Sequence, residues 1–449
     1  MIKRFIRRVL GIREAGPLRV PRDKHHLSRE RISPAALRVC DTLAGHGFTA
    51  CVVGGAVRDL LLGIAPKDFD VATDARPEQV KPLFRRAIVI GRRFRLVHVM
   101  IGPETVEVST FRAAGPDTAK LDEQARLLDE HGRVLRDNVF GNQEEDARRR
   151  DFTINALYFD PSTEEVIDYH GGLADLRKRV LRMIGDPETR YREDPVRMLR
   201  AVRLAGKLGL SIDSATRAPI RKLAALVDRV PPPRLFDEML KLLLSGHASA
   251  CLRQLREEGL HKGVLPLLDV ILDQPLGERF VTLALAQTDA RMLEGKSVSP
   301  AFLFAALLWH EVLAAWKARE KRGEYPLAAL EAAMDEVLDA QCEKLAITRR
   351  FTATMREVWA MQPRFEHRSG QRAFRLLESP RFRMGYDFLA LRAASGEVPA
   401  DFEAWWRAFQ SGDMETRRAM LLPETGPRKR RRRRRGKKAA ADATPQGKL

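Results

Sequence analysis

Residues 66–75 read "PKDFDVATDA". Two aspartates, Asp68 and Asp70, stand one residue apart in a run that otherwise has the look of a strand. Successive strand side chains point to opposite faces, so Phe69 and Val71 are expected to face a core while both carboxylates share the other side. Like charges held roughly 7 Å apart on one face repel unless something positive lies between them. Just upstream, residues 52–63 read "VVGGAVRDLLLG". A strand that ends in Gly54-Gly55 and opens a helix lets the backbone approach a phosphate, with helix N–H groups aimed at it. Arg58, one turn into that helix, is placed to grip a phosphate oxygen.

Either motif alone also describes something ordinary, a tight turn or a solvated strand edge. Together, the Gly-Gly turn and the aspartate pair point to Mg²⁺ ligands. Hard cations take oxygen donors, and a phosphate-bound Mg²⁺ needs only one or two protein carboxylates. Two such ions, ~3.5–4 Å apart, orient a nucleophilic hydroxyl and stabilise a leaving pyrophosphate. The missing positive charge is then metal, and the metal holds a nucleoside triphosphate. Two residues are candidates for a third carboxylate. Glu107 lies in "TVEVSTFR", residues 105–112, with Val106 and Val108 facing the other way, and Asp151 lies in "RRRDFTINAL".

Around this nucleus, residues 31–112 alternate short helical and strand-like pieces: "CVVGGAVRDLLLG", "FDVATD", "AIVIG", "RLVHVMI" and "TVEVSTF". Runs of β-branched residues separated by turn residues indicate a mixed sheet with helices on it. Residues 113–136 are polar with little strand pattern and are expected to be a mobile insertion beside the site. Strand signals return at "FTINALYFD" and "EVIDYHGG" and fade after about residue 185. Beyond that the pattern is helical. "RLFDEMLKLLLSG" sets Phe236, Met239, Leu240, Leu243 and Leu244 on one face and stops at Gly246, while "VPPPR" at 230–234 marks a joint between helical units.

"REDPVRMLRAVR", residues 192–203, predicts a helix start with Asp194 as N-cap and Pro195 in the first turn. Arg197, Arg200 and Arg203 follow as an i, i+3, i+6 stripe, which capping does not explain.

The chain has 449 residues, 44% hydrophobic, enough for two or three domains around a sizeable core. Its net charge of +19 suggests an acidic partner such as nucleic acid or a membrane surface. Ten of those charges lie in "RKRRRRRRGKK", residues 428–438, which leaves about +9 for the rest. Cys40, Cys51, Cys251 and Cys342 are scattered, without a CxxC pair, so neither a disulfide scaffold nor a structural zinc site is expected and a reducing cytoplasm fits. No apolar run approaches the ~20 residues that span a bilayer. The opening "MIKRFIRRVLGIRE" has basic residues at helical spacing with apolar ones and lacks the uninterrupted apolar centre of a signal peptide.

"GGAVRDLLLG", "KDFDVATDA", "VEVSTFR", "EEDARRRDFTINAL" and "YREDPVRMLRAVRLAGKLG" occur in the order found in the class II nucleotidyltransferases, and the chain resembles that superfamily densely over residues 50–210. The superfamily contains tRNA CCA-adding enzymes and bacterial poly(A) polymerases. "GRRFRLVHVMIGPE" at 91–104, "RDNVFGNQEEDA" at 136–147, "SPAFLFAALLW" at 299–309 and the arginine-rich tail are similar to the poly(A) polymerase branch.

The resemblance implies that Asp68 and Asp70 are metal ligands and that Gly54, Gly55 and Arg58 contact the triphosphate. It places Arg150 and Asp151 in the nucleotide pocket without settling whether Glu107 or Asp151 completes the carboxylate set. Asp194 and Arg197 would present an acceptor and a donor to the incoming base in place of a template. Arg200 and Arg203 resemble positions that touch nucleotide. The tail, with Arg428, Lys429, Arg430, Arg431, Arg432 and Arg433, reads as an RNA-binding electrostatic handle, disordered and unable to stack bases.

The expected fold is α+β. A basic segment (1–30) precedes a nucleotidyltransferase head with a mixed sheet (31–185). A neck (186–245) then reads the base and binds RNA, followed by an RNA-binding helical body (246–425) and a tail (426–449). The expected activity is template-independent addition of AMP from ATP to single-stranded RNA 3′ ends, with Mg²⁺, in the cytoplasm, alongside RNA-degradation or RNA-chaperone proteins. Two alternatives stand beside it: CCA addition to tRNA, and an RNA-binding adaptor on an inactive scaffold, against which the intact aspartate pair argues.

Overall fold

The computed structural model describes residues 16–91, 95–113, 126–128, 134–137, 139–265, 271 and 275–423. The basic start of the chain and the arginine-rich tail, including Arg428, Lys429 and Arg430–433, lie outside the described residues, as does most of the stretch 114–133.

The strands in chain order are β1 (Leu18–Val20), β2 (Ala50–Val53), β3 (Asp70–Thr73), β4 (Ala87–Ile90), β5 (Leu96–Ile101), β6 (Glu104–Thr110), β7 (Arg126–Leu128), β8 (Val134–Asp137), β9 (Leu157–Asp160) and β10 (Glu165–Asp168). Eight of them form one mixed sheet in the order β1-β10-β9-β2-β3-β6-β5-β4, with β3 and β6 parallel and every other neighbouring pair antiparallel. β7 and β8 pair with each other. Part of the stretch expected to carry little strand pattern is therefore a hairpin, whose strand-forming residues are too few for period-2 alternation to stand out in sequence.

β2, "ACVV", is buried at all four positions, as a central strand covered on both faces should be. Its alternation sorts two cores. Ala50 and Val52 join Val71, Val97, Val106, Val108 and Phe159 in the larger one, under the helix Pro34–Gly45. Cys51 and Val53 join Ala72, Phe111, Ala147 and Tyr158 in a smaller one on the opposite face. By the same parity Asp70 and Glu107 lie on the face of the smaller core. Asp68 itself precedes β3, so only Asp70 of the pair belongs to the strand, although Phe69 packs against the larger core as expected.

Among the described residues after β10 the chain is helical apart from a short parallel pair, Val180–Leu181 with Ser211–Ile212. One core runs without a break from Phe152 and Ile154 through residues 196–255 to Phe388 and Leu391, so neck and body residues share it. In it, the helices Val196–Leu208 and Ala248–Glu257 cross closely at Gly206, where an added Cβ would lie 2.8 Å from the Cα of Cys251. A separate small core around Phe365, Trp406 and Phe409 closes the C-terminal helices.

The helix Pro300–Lys321 is the one among the described residues with the length and hydropathy to cross a membrane. Ten of its residues are buried against neighbouring helices, and Ala305 accepts a hydrogen bond from the Trp359 indole at 3.1 Å, so its apolarity serves the core. The four cysteines are free thiols.

Candidate active site

Val53 stands opposite Asp70 in the antiparallel β2/β3 pair, so the turn that follows β2 adjoins the segment that leads into β3. Gly54 there has φ 75° and ψ −125°, a conformation that requires glycine, and a Cβ would lie 3.3 Å from an Arg150 guanidinium nitrogen. The helix it opens, Gly55–Leu61, has only seven residues. Beside the turn the Arg58 guanidinium also comes close, 3.6 Å from where a Cβ on Gly55 would lie.

The β3/β6 register sets Asp70 beside Glu107 and Val71 beside Val108. With both valines in the core, the two carboxylates share the opposite face. Burial pushes the Asp70 carboxyl up to about 6; Glu107 and Asp68 add to the shift, while Arg150 and Lys241 oppose it. Glu107 is exposed and accepts a hydrogen bond from His98 Nε2 at 3.1 Å across β5/β6. Among the described residues no three acidic, histidine or cysteine side chains converge closely enough to enclose a metal ion. The donor set is an open one, oxygen-only and short of positive charge. That suits a hard divalent cation completed by phosphate oxygens.

Asp151 has a different environment. It is buried, bonded by Arg200 at 2.6 Å, by Asn155 Nδ2 at 3.0 Å and by the Phe152 N–H at 2.8 Å. Burial raises its carboxyl, but Arg200 and these donors outweigh it and hold the group well below the usual range. The β3/β6 register gives Glu107, not Asp151, the place beside Asp70.

A cavity of about 630 Å³ opens beside Asp70, and most of the expected nucleotide-contacting residues line it: Gly54, Gly55, Arg58, Arg150, Asp194, Arg197, Arg200 and Arg203. Arg58 is buried in its wall, donating to Asp59 at 2.8 Å and to Asn155 Oδ1 at 2.6 Å. Arg150 ion-pairs with Asp146 at 3.1 Å and packs over the Tyr158 ring, whose hydroxyl also donates to Asp146 at 2.7 Å. Burial alone would lower Arg150; Tyr158 and Asp146 hold it well above its ordinary value.

The arginine stripe is not a solvated face. Arg197 bonds Glu193 at 3.1 Å and the Arg190 carbonyl at 2.8 Å; Arg200 bonds Asp151; Arg203 bonds Glu238 at 2.5 Å. Asp194 closes the helix Pro187–Glu193, and Pro195 occupies the cap position of the helix Val196–Leu208. The formal cap position falls one residue later than expected, but Asp194 keeps the backbone of a helix start: it is extended, its carbonyl accepts from the Arg197 N–H at 3.0 Å, and Pro195 after it is already helical in φ and ψ. Its carboxylate is clasped by Arg234, two parallel bonds of 3.0 Å each.

Sequence reasoning missed Arg234, Asp237, Glu238 and Lys241, which all line the cavity. They recur at i, i+3, i+4, i+7 on the helix Pro232–Leu243, opposite the apolar face of Phe236 and Met239. The polar side of that amphipathic pattern was the available signal. Arg190 was missed too. Burial pulls it down to about 10, and it binds the carbonyls of Arg149 and Arg150 at 2.5 and 2.7 Å, tying the helix Pro187–Glu193 to the Arg150 turn.

Three sequence families match the chain. Residues 50–182 match the poly A polymerase head domain, 209–272 the probable RNA and SrmB-binding site of polymerase A, and 322–439 the polymerase A arginine-rich C-terminus. Poly(A) polymerase I of Escherichia coli O157:H7 is 46% identical over 424 residues, covering 92% of this chain and 90% of that enzyme. Poly(A) polymerase I of Haemophilus influenzae is 43% identical, with 88% of each chain covered. Similarity to CCA-adding enzymes is more partial: that of a Geobacillus species is 38% identical over 52% of this chain and 54% of its own. The solved Bacillus stearothermophilus CCA-adding enzyme in complex with CTP superimposes with a TM-score of 0.56 at 27% identity, covering 84% of this chain and 82% of that one. With these similarities running through head, neck and body alike, the chain belongs to the bacterial poly(A) polymerase I family of nucleotidyltransferases.

Proposed function

We propose that the chain adds AMP from ATP to RNA 3′ ends without a template and that Asp68, Asp70 and Glu107 form its catalytic carboxylate set. The observation that carries this reading is the register that sets Asp70, which lines an arginine-rich cavity with Gly54, beside Glu107. The RNA 3′-hydroxyl attacks the α-phosphorus of ATP. A new P–O bond forms, the bond to the β-phosphate oxygen breaks, and pyrophosphate leaves. Asp68, Asp70 and Glu107 would hold Mg²⁺, which when bound supplies charge neutralisation at the attacking and leaving oxygens.

The chain's own residues do the positioning. Gly54 lets the triphosphate approach the backbone, with Arg58 and Arg150 beside it. Asp151 serves as the anchor for Arg200. The Asp194–Arg234 clasp and Arg197, steadied by Glu193, present a fixed edge to the base. Both carboxylate oxygens of Asp194 already accept from Arg234, so selection for adenine rests on the shape and donors of this edge more than on Asp194 alone. Residues 31–185 act as the catalytic head, 186–245 as the base-reading neck, 246–425 and the tail as RNA-binding parts.

The test is incubation of the protein with an unstructured RNA and each nucleoside triphosphate in turn, then with tRNA lacking its CCA end. Products that lengthen well beyond three nucleotides with ATP, and poor use of CTP, are expected. A product that stops at three additions, needs CTP and forms only on tRNA would place the activity in the CCA-adding branch.

A further inference from the structure

A second cavity, about 420 Å³, lies in the helical body between the helix Pro275–Leu293, the start of the helix Pro300–Lys321 and the helix Phe382–Ser395. None of the residues that line it lines the active-site cavity. Its apolar lining includes Val298, Phe302 and Met384, all half-buried. Phe302 meets Phe388 near a right angle at 5.8 Å, and Phe388 is in turn packed by Phe280 and Trp309 at 5.4 and 5.5 Å. A ring backed in this way is a rigid platform.

The polar lining is basic with a single acid. Arg291 and Arg383 are exposed, and Asp387 is half-buried between them. Arg383 reaches Asp387 at 3.1 Å. Burial pushes the Asp387 carboxyl up, against the pull of Arg383 and Arg291, and its half-exposed oxygens keep lone pairs open to an N–H donor.

An aromatic platform, cations for a phosphate and one acceptor for ring or exocyclic N–H groups match a single ligand chemistry. The volume falls within the range of small-molecule pockets. We propose that this cavity is a second nucleotide-binding site, which takes one unpaired nucleotide with its base against Phe302 and Met384, its N–H groups on Asp387 and its phosphate on Arg383 and Arg291. The choice of occupant rests on the proposed function, because an RNA polymerase meets such a nucleotide in two forms, as a unit of its RNA or as a free mononucleotide.

The full chain carrying Phe302→Ala, Arg383→Glu or Asp387→Asn tests this. Two probes are used, a short A-rich single-stranded RNA followed by fluorescence anisotropy and AMP followed by calorimetry. Phe302→Ala should weaken RNA about tenfold, the scale of one lost base–aromatic stack. Arg383→Glu, on an exposed side chain with no place in the core, should weaken RNA severalfold and lower the slope of log affinity against log salt by ~0.7. Turnover at saturating RNA should stay at the wild-type level in both.

Loss of one bound AMP per chain in the variants would identify the free mononucleotide as occupant. An unchanged AMP stoichiometry with weakened RNA would identify a unit of the RNA chain. Wild-type RNA affinity, salt slope and AMP stoichiometry in both Arg383→Glu and Asp387→Asn would overturn the proposal while leaving the polymerase reading intact. Absence of AMP addition by the wild-type chain would instead overturn that reading.

Discussion

At the β3/β6 pair Asp70 is buried near the like charges of Glu107 and Asp68, whereas in the wall of the cavity that Asp70 lines, Arg200, Arg203 and Arg234 each rest on a carboxylate from a distant part of the chain. Arg150 and Lys241 offset only part of the cost in the first group, since the Asp70 carboxyl is still raised. The second has been neutralised pair by pair. The open charge is where the proposed metal and substrate would add theirs; the closed pairs would fix the shape of the wall that a substrate meets. The two carboxylates proposed from sequence as alternatives, Glu107 and Asp151, fall on opposite sides of this division.

Substitution of the open group should have the largest effect on chemistry and almost none on stability. Asp70→Ala is expected to lower turnover by more than a hundredfold, ~2.7 kcal/mol of barrier, with an unchanged melting temperature. Glu107→Ala should behave in the same way. Substantial retention of turnover by either variant, measured by single-nucleotide extension, would break the comparison on its acidic side.

Asp151→Ala should show the converse. It leaves Arg200 without its counter-charge and Asn155 without an acceptor. The expected loss is about 3 kcal/mol of folding stability, the low end for breaking a buried pair because Arg200 is partly exposed. Denaturant unfolding reads this directly. A variant as stable as wild type but inactive would make Asp151 a catalytic carboxylate and remove the distinction drawn here.

The Arg234 clasp sharpens the comparison at smaller scale. Arg234→Ala should reduce the preference for ATP over the other triphosphates about tenfold, or ~1.4 kcal/mol, because Asp194 then loses the two bonds that orient its carboxylate. Arg234→Lys should recover only part of it, since one ammonium cannot reproduce two parallel bonds. Competition among the four triphosphates at fixed RNA measures both. Unchanged selectivity in Arg234→Ala would leave the clasp a purely structural pair.

The smallest effect is expected from the basic tail. Deletion of residues 428–449 removes all ten positive charges of the "RKRRRRRRGKK" run. The salt slope of RNA affinity should flatten by ~0.7 for each phosphate that the tail no longer neutralises, and the KM for RNA should rise severalfold at moderate salt. Turnover at saturating RNA and the KM for ATP should hold. Collapse of turnover would mean that the tail reaches the site.

Much of the head was legible because its signals are local. "ACVV" is a short apolar run fit for a buried strand, "VEVST" carries strand alternation, Gly54 announces a turn that only glycine adopts, and the placement of Glu107 against Val106 and Val108 follows from period-2 parity. Where local reading slipped, a neighbour competed for the same residue. Asp194 has an N-cap's sequence context and its extended backbone, yet it also ends the helix before it, and its side chain is clasped by Arg234. The hairpin of β7 and β8 was missed because three- and four-residue strands carry too little pattern.

By itself the sequence determined the strands and helices that frame the site, the Gly-Gly turn, the aspartate pair, the order of motifs and the weight of positive charge at the tail. Tertiary structure alone decided which acid answers which arginine. Asp151 with Arg200, Glu238 with Arg203 and Asp194 with Arg234 are separated by 49, 35 and 40 residues, and it alone set Asp70 beside Glu107 through a parallel strand pair. The reason is the range of the forces involved. Helix and strand periodicity arise from backbone geometry over a few residues. A charge pair forms only where packing of a shared core, here the one running from Phe152 to Leu391, brings two distant side chains within a few ångströms of each other.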